Sequence, residues 1–333
     1  MLAASGAWGS AAALSEKLLG NSHPVDVLLT LRWYRIVALI KARDVPKAER
    51  ELAMLGDLNS QGWHYERYPG IYPNRAGSMV HSSLLVLQAL LPSYKGNHDD
   101  ALAQLYALVA NGDRDPVAEH AQAILAIVNV LCAVHDYSNA VGHVEQLIAA
   151  VQRGGEDSAP QVPHANTAGK PSSPDLPQLL SLLGRLHLQL GNLDAAADAF
   201  DRLECSIPSA ENSAQVRINR GLLAVALSRF ESALAEFEAA LAIDPKSTIA
   251  ANNAAVCQLY VCKLEKAVAT LEGQIKVDPQ QSMHPAVISN LTNLNQMTSH
   301  TVVGGSQKPS LELLIQACAG DDFDMNVLNL GQM

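Results

Sequence analysis

One pattern is written three times between Leu182 and Pro279, and it restricts that stretch to stacked pairs of helices. The first copy, LLGRLHLQLGNLDAAADAFDRLECSIP, holds Gly184, then Ala196 twelve residues on, Phe200 four after that, and a closing Pro208. The second sets Gly221, Ala233, Phe237 and Pro245 at the same internal offsets, and the third sets Ala255, Ala267, Leu271 and Pro279. Successive prolines lie 245 − 208 = 37 and 279 − 245 = 34 residues apart, so three extra residues must sit in a loop, placed here around Ser209 to Gln215. Small side chains at the Gly184 and Ala196 slots let two antiparallel helices cross closely. Phe200 and Phe237 are expected to fill the space between one pair and the next. Proline lacks the N–H that a helix needs, so each proline is read as closing its repeat.

A period near 34 with this spacing of small, large and proline residues is that of the tetratricopeptide repeat. The expected fold is all-α, a superhelical solenoid of antiparallel helix pairs. Composition agrees: 48% of the 333 residues are apolar but only 5% are aromatic, a balance suited to Ala- and Leu-packed helices rather than a β-sandwich. The net charge of −10 and the lack of any Lys/Arg cluster argue against nucleic acid as a direct partner.

The rest of the chain can be laid out against that repeat. Residues 1–23 read as a weakly structured lead-in, one or two helical turns ended by Gly20 and Asn21. Residues 24–152 read as degenerate helix pairs. The first spans Pro24 to Leu58 with a turn at Ala42 to Val45, and the second pairs Met79–Pro92 with Asp99–Ala110. The third pairs Pro116–Val134 with Ser138–Gln152, and Asp99 and Ser138 are expected N-caps. Between the first two pairs lies an aromatic loop at 59–78 that carries Trp63, Tyr65, Tyr68 and Tyr72. Such a loop either packs onto the scaffold or receives a partner. Residues 153–177, with five prolines and three glycines, read as a disordered insertion, either a linker or an exposed loop. Residues 178–333 hold the clear repeats, a further first helix at Pro285–Met297, a loop at Ser299–Ser310 and a capping helix at Leu311–Ala319.

No catalytic, cofactor-binding or metal site is expected. The motifs G-x-S-x-G, H-E-x-x-H and G-x-x-x-x-G-K-[ST] are all absent. Five scattered cysteines lack zinc spacing, since Cys257 and Cys262 are five apart, and they read as reduced thiols of a cytosolic chain. No apolar run reaches the ~20 residues needed to cross a bilayer. What a repeat array offers is its groove. Asn219 and Asn253, two residues before Gly221 and Ala255, are candidates to hydrogen-bond an extended peptide. The alternative reading, which weighs more, is a helix-packing or solvated role. The basic residues of a carboxylate clamp, the mark of a stand-alone co-chaperone, are missing, because the matching slots of the first copy hold Ser181 and Leu182.

Longer strings carry a narrower likeness. YPNRAGSMV from Tyr72, ANNAAVCQLYVCKLEKAVATLE from Ala251, HPAVISNLTNLNQM from His284 and SLELLIQACAGDDFDMNVLNL from Ser310 resemble the C-terminal half of the subunit 12 family of the trafficking protein particle (TRAPP) complex. The resemblance implies a non-catalytic subunit of a TRAPP III-type tether whose core exchanges nucleotide on a Rab GTPase. Such a subunit helps attach peripheral subunits to the core in endoplasmic reticulum to Golgi transport and autophagy. Implied partners are other TRAPP subunits, with a Rab only indirectly, at the cytoplasmic face of intermediate-compartment and Golgi membranes. A long acidic N-terminal portion, common in the family, has no match here, and roles tied to it are not carried over.

Overall fold

A computed structural model describes residues 6–110, 117–156 and 175–299, with Ile315, Ala319, Gly320, Asp321 and Phe323. Among the described residues the regular elements are α-helices and short 3-10 turns, with one isolated bridge between His64 and Ser78. The chain forms two compact units, over Ala7–Leu179 and Leu180–Met333.

The first unit contains α1 (Trp8–Leu19), α2 (Val25–Lys41), α3 (Val45–Ala53), α4 (Ser82–Tyr94), α5 (His98–Ala110), α6 (Val117–Ala133) and α7 (Tyr137–Glu156). The lead-in is more ordered than its sequence suggests. Three turns of α1 place Ala12 in the core beside Leu29, Ile36 and Leu39 of α2. The helix α3 stops short of the expected Leu58, because Gly56 takes a left-handed φ of 65°. Leu55 and Leu58 are still buried, from the turn that follows. Pro92 does not end α4, which runs on to Tyr94; near the C-terminus the missing N–H costs one bond and interrupts little. The expected caps shift as well. Asn97 Oδ1 accepts from the Asp100 N–H at 3.3 Å and Asp136 Oδ1 from the Asn139 N–H at 3.3 Å, so Asp99 and Ser138 lie inside the first turns.

The second unit begins at Leu180, within α8 (Leu176–Leu190), and contains α9 (Leu193–Ser206), α10 (Ala214–Ala226), α11 (Phe230–Ile243), α12 (Thr248–Tyr260), α13 (Leu264–Val277), the single turn α14 (Pro279–Ser282) and α15 (Pro285–Ser299). The α9 to α10 link has 213 − 206 = 7 residues and the α11 to α12 link 247 − 243 = 4, which places the three extra residues where the proline spacing put them. Pro208 and Pro245 follow the ends of α9 and α11 by two residues. Pro279 does more than close a repeat, since it is the first residue of α14, where a missing donor is harmless. Ends of the 153–177 segment join α7 and α8; its residues 157–174, the loop expected at Ser299–Ser310 beyond Ser299, and most of the last helix and tail lie outside the described residues.

Six helix pairs share one hairpin, including those whose sequences look degenerate. Two residues before each second helix the backbone turns left-handed, at Arg43, Gly96, His135, Gly191, Ser228 and Cys262, with φ between 57° and 86°. The next residue donates its N–H five positions back, as in Asp44 to Leu39, Asp136 to Leu131 and Lys263 to Gln258, at 2.8–2.9 Å. This bond satisfies a terminal carbonyl and fixes the exit angle of the chain. Five residues after each left-handed position stands an alanine, namely Ala48, Ala101, Ala140, Ala196, Ala233 and Ala267, all 0% exposed. A methyl group is the largest side chain that such a close crossing leaves room for.

A buried pair sixteen residues apart completes the unit. Going along the chain, the pairs are Ile36 with Leu52, Ala89 with Leu105, Val128 with Val144, Gly184 with Phe200, Gly221 with Phe237 and Ala255 with Leu271, and every member is buried. Where the first-helix residue is glycine, the second is phenylalanine. A Cβ added at Gly221 would lie 2.6 Å from the Phe237 ring, and one at Gly184 would collide with Phe200. Phe200 and Phe237 thus meet the glycine of their own pair's first helix, and Phe237 also shares a core cluster with Ala250, Ala254 and Cys257 of α12, the first helix of the next pair. Side chains on a helix lean back toward its N-terminus, which aims each phenylalanine at the facing helix.

Candidate protein-binding surfaces

The aromatic loop is an ordered cover on the first unit. Two 3-10 turns, Gln61–Trp63 and Tyr65–Arg67, are clasped by backbone bonds from Tyr65 N to Gly77 O (3.0 Å) and from Met79 N to Trp63 O (2.8 Å). The Gly77 N–H also donates to Glu66 Oε1 at 2.8 Å. Trp63, Tyr65 and Tyr68 are half-buried against the α2–α4 core. Tyr72 is buried and its hydroxyl donates to Asp26 Oδ1 at 2.5 Å, while Tyr65 meets it edge-on with centroids 5.1 Å apart. Burial, then the bond to Asp26, holds the Tyr72 phenol above its ordinary pKa. Of the four candidate aromatics, Tyr72 thus has no face to offer a partner. The others spend most of theirs on the core, which is the packing role of such side chains.

The first unit also holds a buried ion network that the sequence reading missed. Arg35 Nε donates to Glu51 Oε1 at 2.8 Å and Arg32 Nη1 to Glu51 Oε2 at 2.6 Å, with the Arg35 and Glu51 side chains only 9% and 11% exposed. Arg35 Nη1 reaches Ala12 O at 2.8 Å and Glu16 Oε2 at 3.1 Å, so one guanidinium ties α1, α2 and α3 together. Burial pulls its pKa down, but the bonds to Glu51 and Glu16 outweigh that and leave it raised. The signal in the sequence was Arg35 itself, a charge in the apolar stretch of α2, sixteen residues before Glu51 as Ile36 is before Leu52.

The two groove asparagines are not equivalent. Asn219 is 1% exposed; its Nδ2 donates to Ser181 Oγ at 3.0 Å, and its Oδ1 accepts from Gln215 Nε2 at 3.0 Å and from Ser181 Oγ at 3.2 Å. It joins α8 to α10, and at this burial its side chain offers no surface to a peptide. Asn253 is half-buried and its Nδ2 donates to Ile249 O of its own helix at 2.9 Å. Its neighbour Asn252 bonds across helices, accepting from Asn290 Nδ2 at 2.9 Å.

The first helices α8, α10, α12 and α15 contain no Asp or Glu at all. Arg217 and Arg220 of α10 are matched by Glu236 at 3.1 Å and by a two-point contact to Glu204 at 2.5–2.6 Å. Arg185 donates to Ser181 O at 3.2 Å, and the crowding around it lowers its pKa by desolvation even though its residue is exposed. Among the described residues no group of three His, Cys, Asp or Glu side chains is placed to hold a metal ion. Nor is any described helix long and apolar enough to cross a membrane.

Comparison with known proteins agrees with the fold and narrows the family. A profile of the tetratricopeptide repeat matches residues 224–289. A tetratricopeptide repeat protein from Parabacteroides merdae superimposes with a TM-score of 0.51 at 14% identity, over 90% of this chain and 96% of that one. In sequence the chain is similar to trafficking protein particle complex subunit 12 of Mus musculus, 30% identical over 322 residues, which is 94% of this chain and 40% of the relative. The Homo sapiens subunit 12 is 28% identical over 320 residues, 93% of this chain and 43% of its own length. The chain thus spans about two fifths of the curated relatives it matches, and the resemblance first seen in four strings extends over nearly all of it.

Proposed function

We propose that this chain is a non-catalytic adaptor of a TRAPP III-type tethering complex. It would hold other subunits on its helix-pair surfaces and reach a Rab GTPase only through them. The observation that carries this reading is the similarity to subunit 12 over 94% of the chain. The architecture is in keeping with it. Stacked hairpins expose long helix faces that other proteins can grip. The proposed site of action is the cytoplasmic face of intermediate-compartment and Golgi membranes, in endoplasmic reticulum to Golgi transport and autophagy.

The test is affinity purification of the tagged full chain from its own cells. The expected result is near-stoichiometric recovery of the small longin-type subunits of the TRAPP core. Recovery of chaperones without any TRAPP subunit would contradict the reading and favour a stand-alone peptide receptor.

A further inference from the structure

The first unit holds an open recess of about 590 Å³ between α1 and α3, floored by α2. Six ionisable side chains line it: Arg35, Lys47 and Arg50, against Glu16, Asp44 and Glu51. The carboxylates are already occupied. Glu51 takes Arg32 and Arg35 on its two oxygens and Glu16 takes Arg35, while Asp44 takes the Lys47 ammonium on one oxygen and the Lys47 N–H on the other. The guanidiniums are not. Arg35 uses Nε and Nη1, but its Nη2 has no partner among the described residues and is not sealed from solvent, although the side chain as a whole is only 9% exposed. Arg50 donates from Nε to Pro46 O at 3.3 Å and feels Asp44 only at longer range, which leaves its two terminal nitrogens without a carboxylate among the described residues. A guanidinium is a fork of five N–H donors with no acceptor, so its unused edge calls for an oxygen from elsewhere.

We infer that this recess takes an Asp or Glu side chain from a peptide segment of another protein, with a neighbouring apolar side chain of that segment against Ala13, Ala42 and Met54. The inference rests on the adaptor reading above for its partner, and deepens it by naming a site and the chemistry that the site selects. Charge decides between anions. Counting Arg32 with its partner Glu51, four cations and three carboxylates leave 4 − 3 = 1 net positive charge at the recess. One carboxylate balances that charge, and its two oxygens match a guanidinium fork at two points. A phosphate group carries about two negative charges and would leave an excess, beside a Glu16 side chain that is 70% exposed. The volume falls within the range of ligand sites, about 300–1,000 Å³. The recess is also separate from the face that carries the groove asparagines, because its walls are α1 and α3 of the first unit.

The experiment titrates the full chain, isotope-labelled at arginine, with short synthetic peptides tiling the proteins that co-purify with it. Expected is a peptide with an acidic residue beside an apolar one that shifts the side-chain signals of Arg35 and Arg50. Its affinity should fall by at least about tenfold when its acid is replaced by the amide, when Arg50→Gln removes one fork, and when Ala13→Trp fills the recess, as for loss of a charged hydrogen bond. Arg50 and Ala13 are exposed, so the melting temperature should be unchanged, and Arg50→Gln bears the test alone if Ala13→Trp folds poorly. Equal binding of the acid and amide peptides overturns the inference, as does binding that Arg50→Gln leaves untouched. Signals of Arg35 and Arg50 that move with sodium phosphate and with no peptide overturn it too. If no TRAPP subunit co-purifies, the adaptor reading fails by itself, and the recess is judged separately on the same peptides and variants.

Discussion

The two units build the same hairpin from different materials. In the second unit the helix pairs meet through Gly184 with Phe200, Gly221 with Phe237 and Ala255 with Leu271, and the tie between first helices is the neutral Ser181–Asn219–Gln215 cluster. In the first unit the corresponding pairs are Ile36 with Leu52, Ala89 with Leu105 and Val128 with Val144; the first helices α4 and α6 are joined by Ser83 Oγ donating to Gln122 Oε1 at 3.1 Å, and an ion network around Arg35 ties α1, α2 and α3. What stays fixed across both is the left-handed turn residue, the N–H donated five positions back, and the buried alanine five residues on. The hairpin therefore depends on turn geometry and one close crossing, while the side chains at the paired positions vary in size.

Breaking the ties should separate the units most. Glu51→Ala removes the shared partner of Arg32 and Arg35 and leaves buried charge, which costs up to about 3–5 kcal/mol. Arg35 keeps Ala12 O and Glu16, so a loss of about 3 kcal/mol is expected, read as an early melting of the first unit by hydrogen exchange with the second unit unaffected. If protection falls equally in both units, the network is not local to the first.

A smaller and opposite effect should appear at the turns. Ser228 holds φ 57°, a region that disfavours any residue with a Cβ, so Ser228→Gly is expected to stabilise the second unit by about 0.5–1 kcal/mol. The same change at His135, φ 61°, should do likewise in the first unit. Denaturant midpoints would check both. A destabilisation at either would mean that its side chain matters more than its backbone.

How far the sequence could be read follows the same division. The second unit was legible because glycine, alanine, phenylalanine and proline mark their positions by type. The first was only partly so. The turn residues do not separate the two, since Ser228 and Cys262 of the second unit are no more glycine than Arg43 and His135, but Ile36 and Val128 stand where a small residue was sought. Spacing placed Phe200 and Phe237 on the correct helices but did not give the direction in which they point. Asn219 looked like a ligand-binding amide because a repeat offset does not show burial, and the inward turn of Tyr72 depends on Asp26, forty-six residues away.

That one hairpin, set by buried pairs, runs through the whole chain can be tested by rewriting the second repeat as the third. Gly221→Ala drives a Cβ into the Phe237 ring, and Phe237→Leu alone leaves a void, so each should destabilise by about 1–3 kcal/mol. The double variant carries the Ala255–Leu271 combination at the equivalent sites. A thermal double-mutant cycle should show it to be more stable than either single change, with a coupling of at least about 1 kcal/mol. A double variant as unstable as the sum of the two would contradict the account.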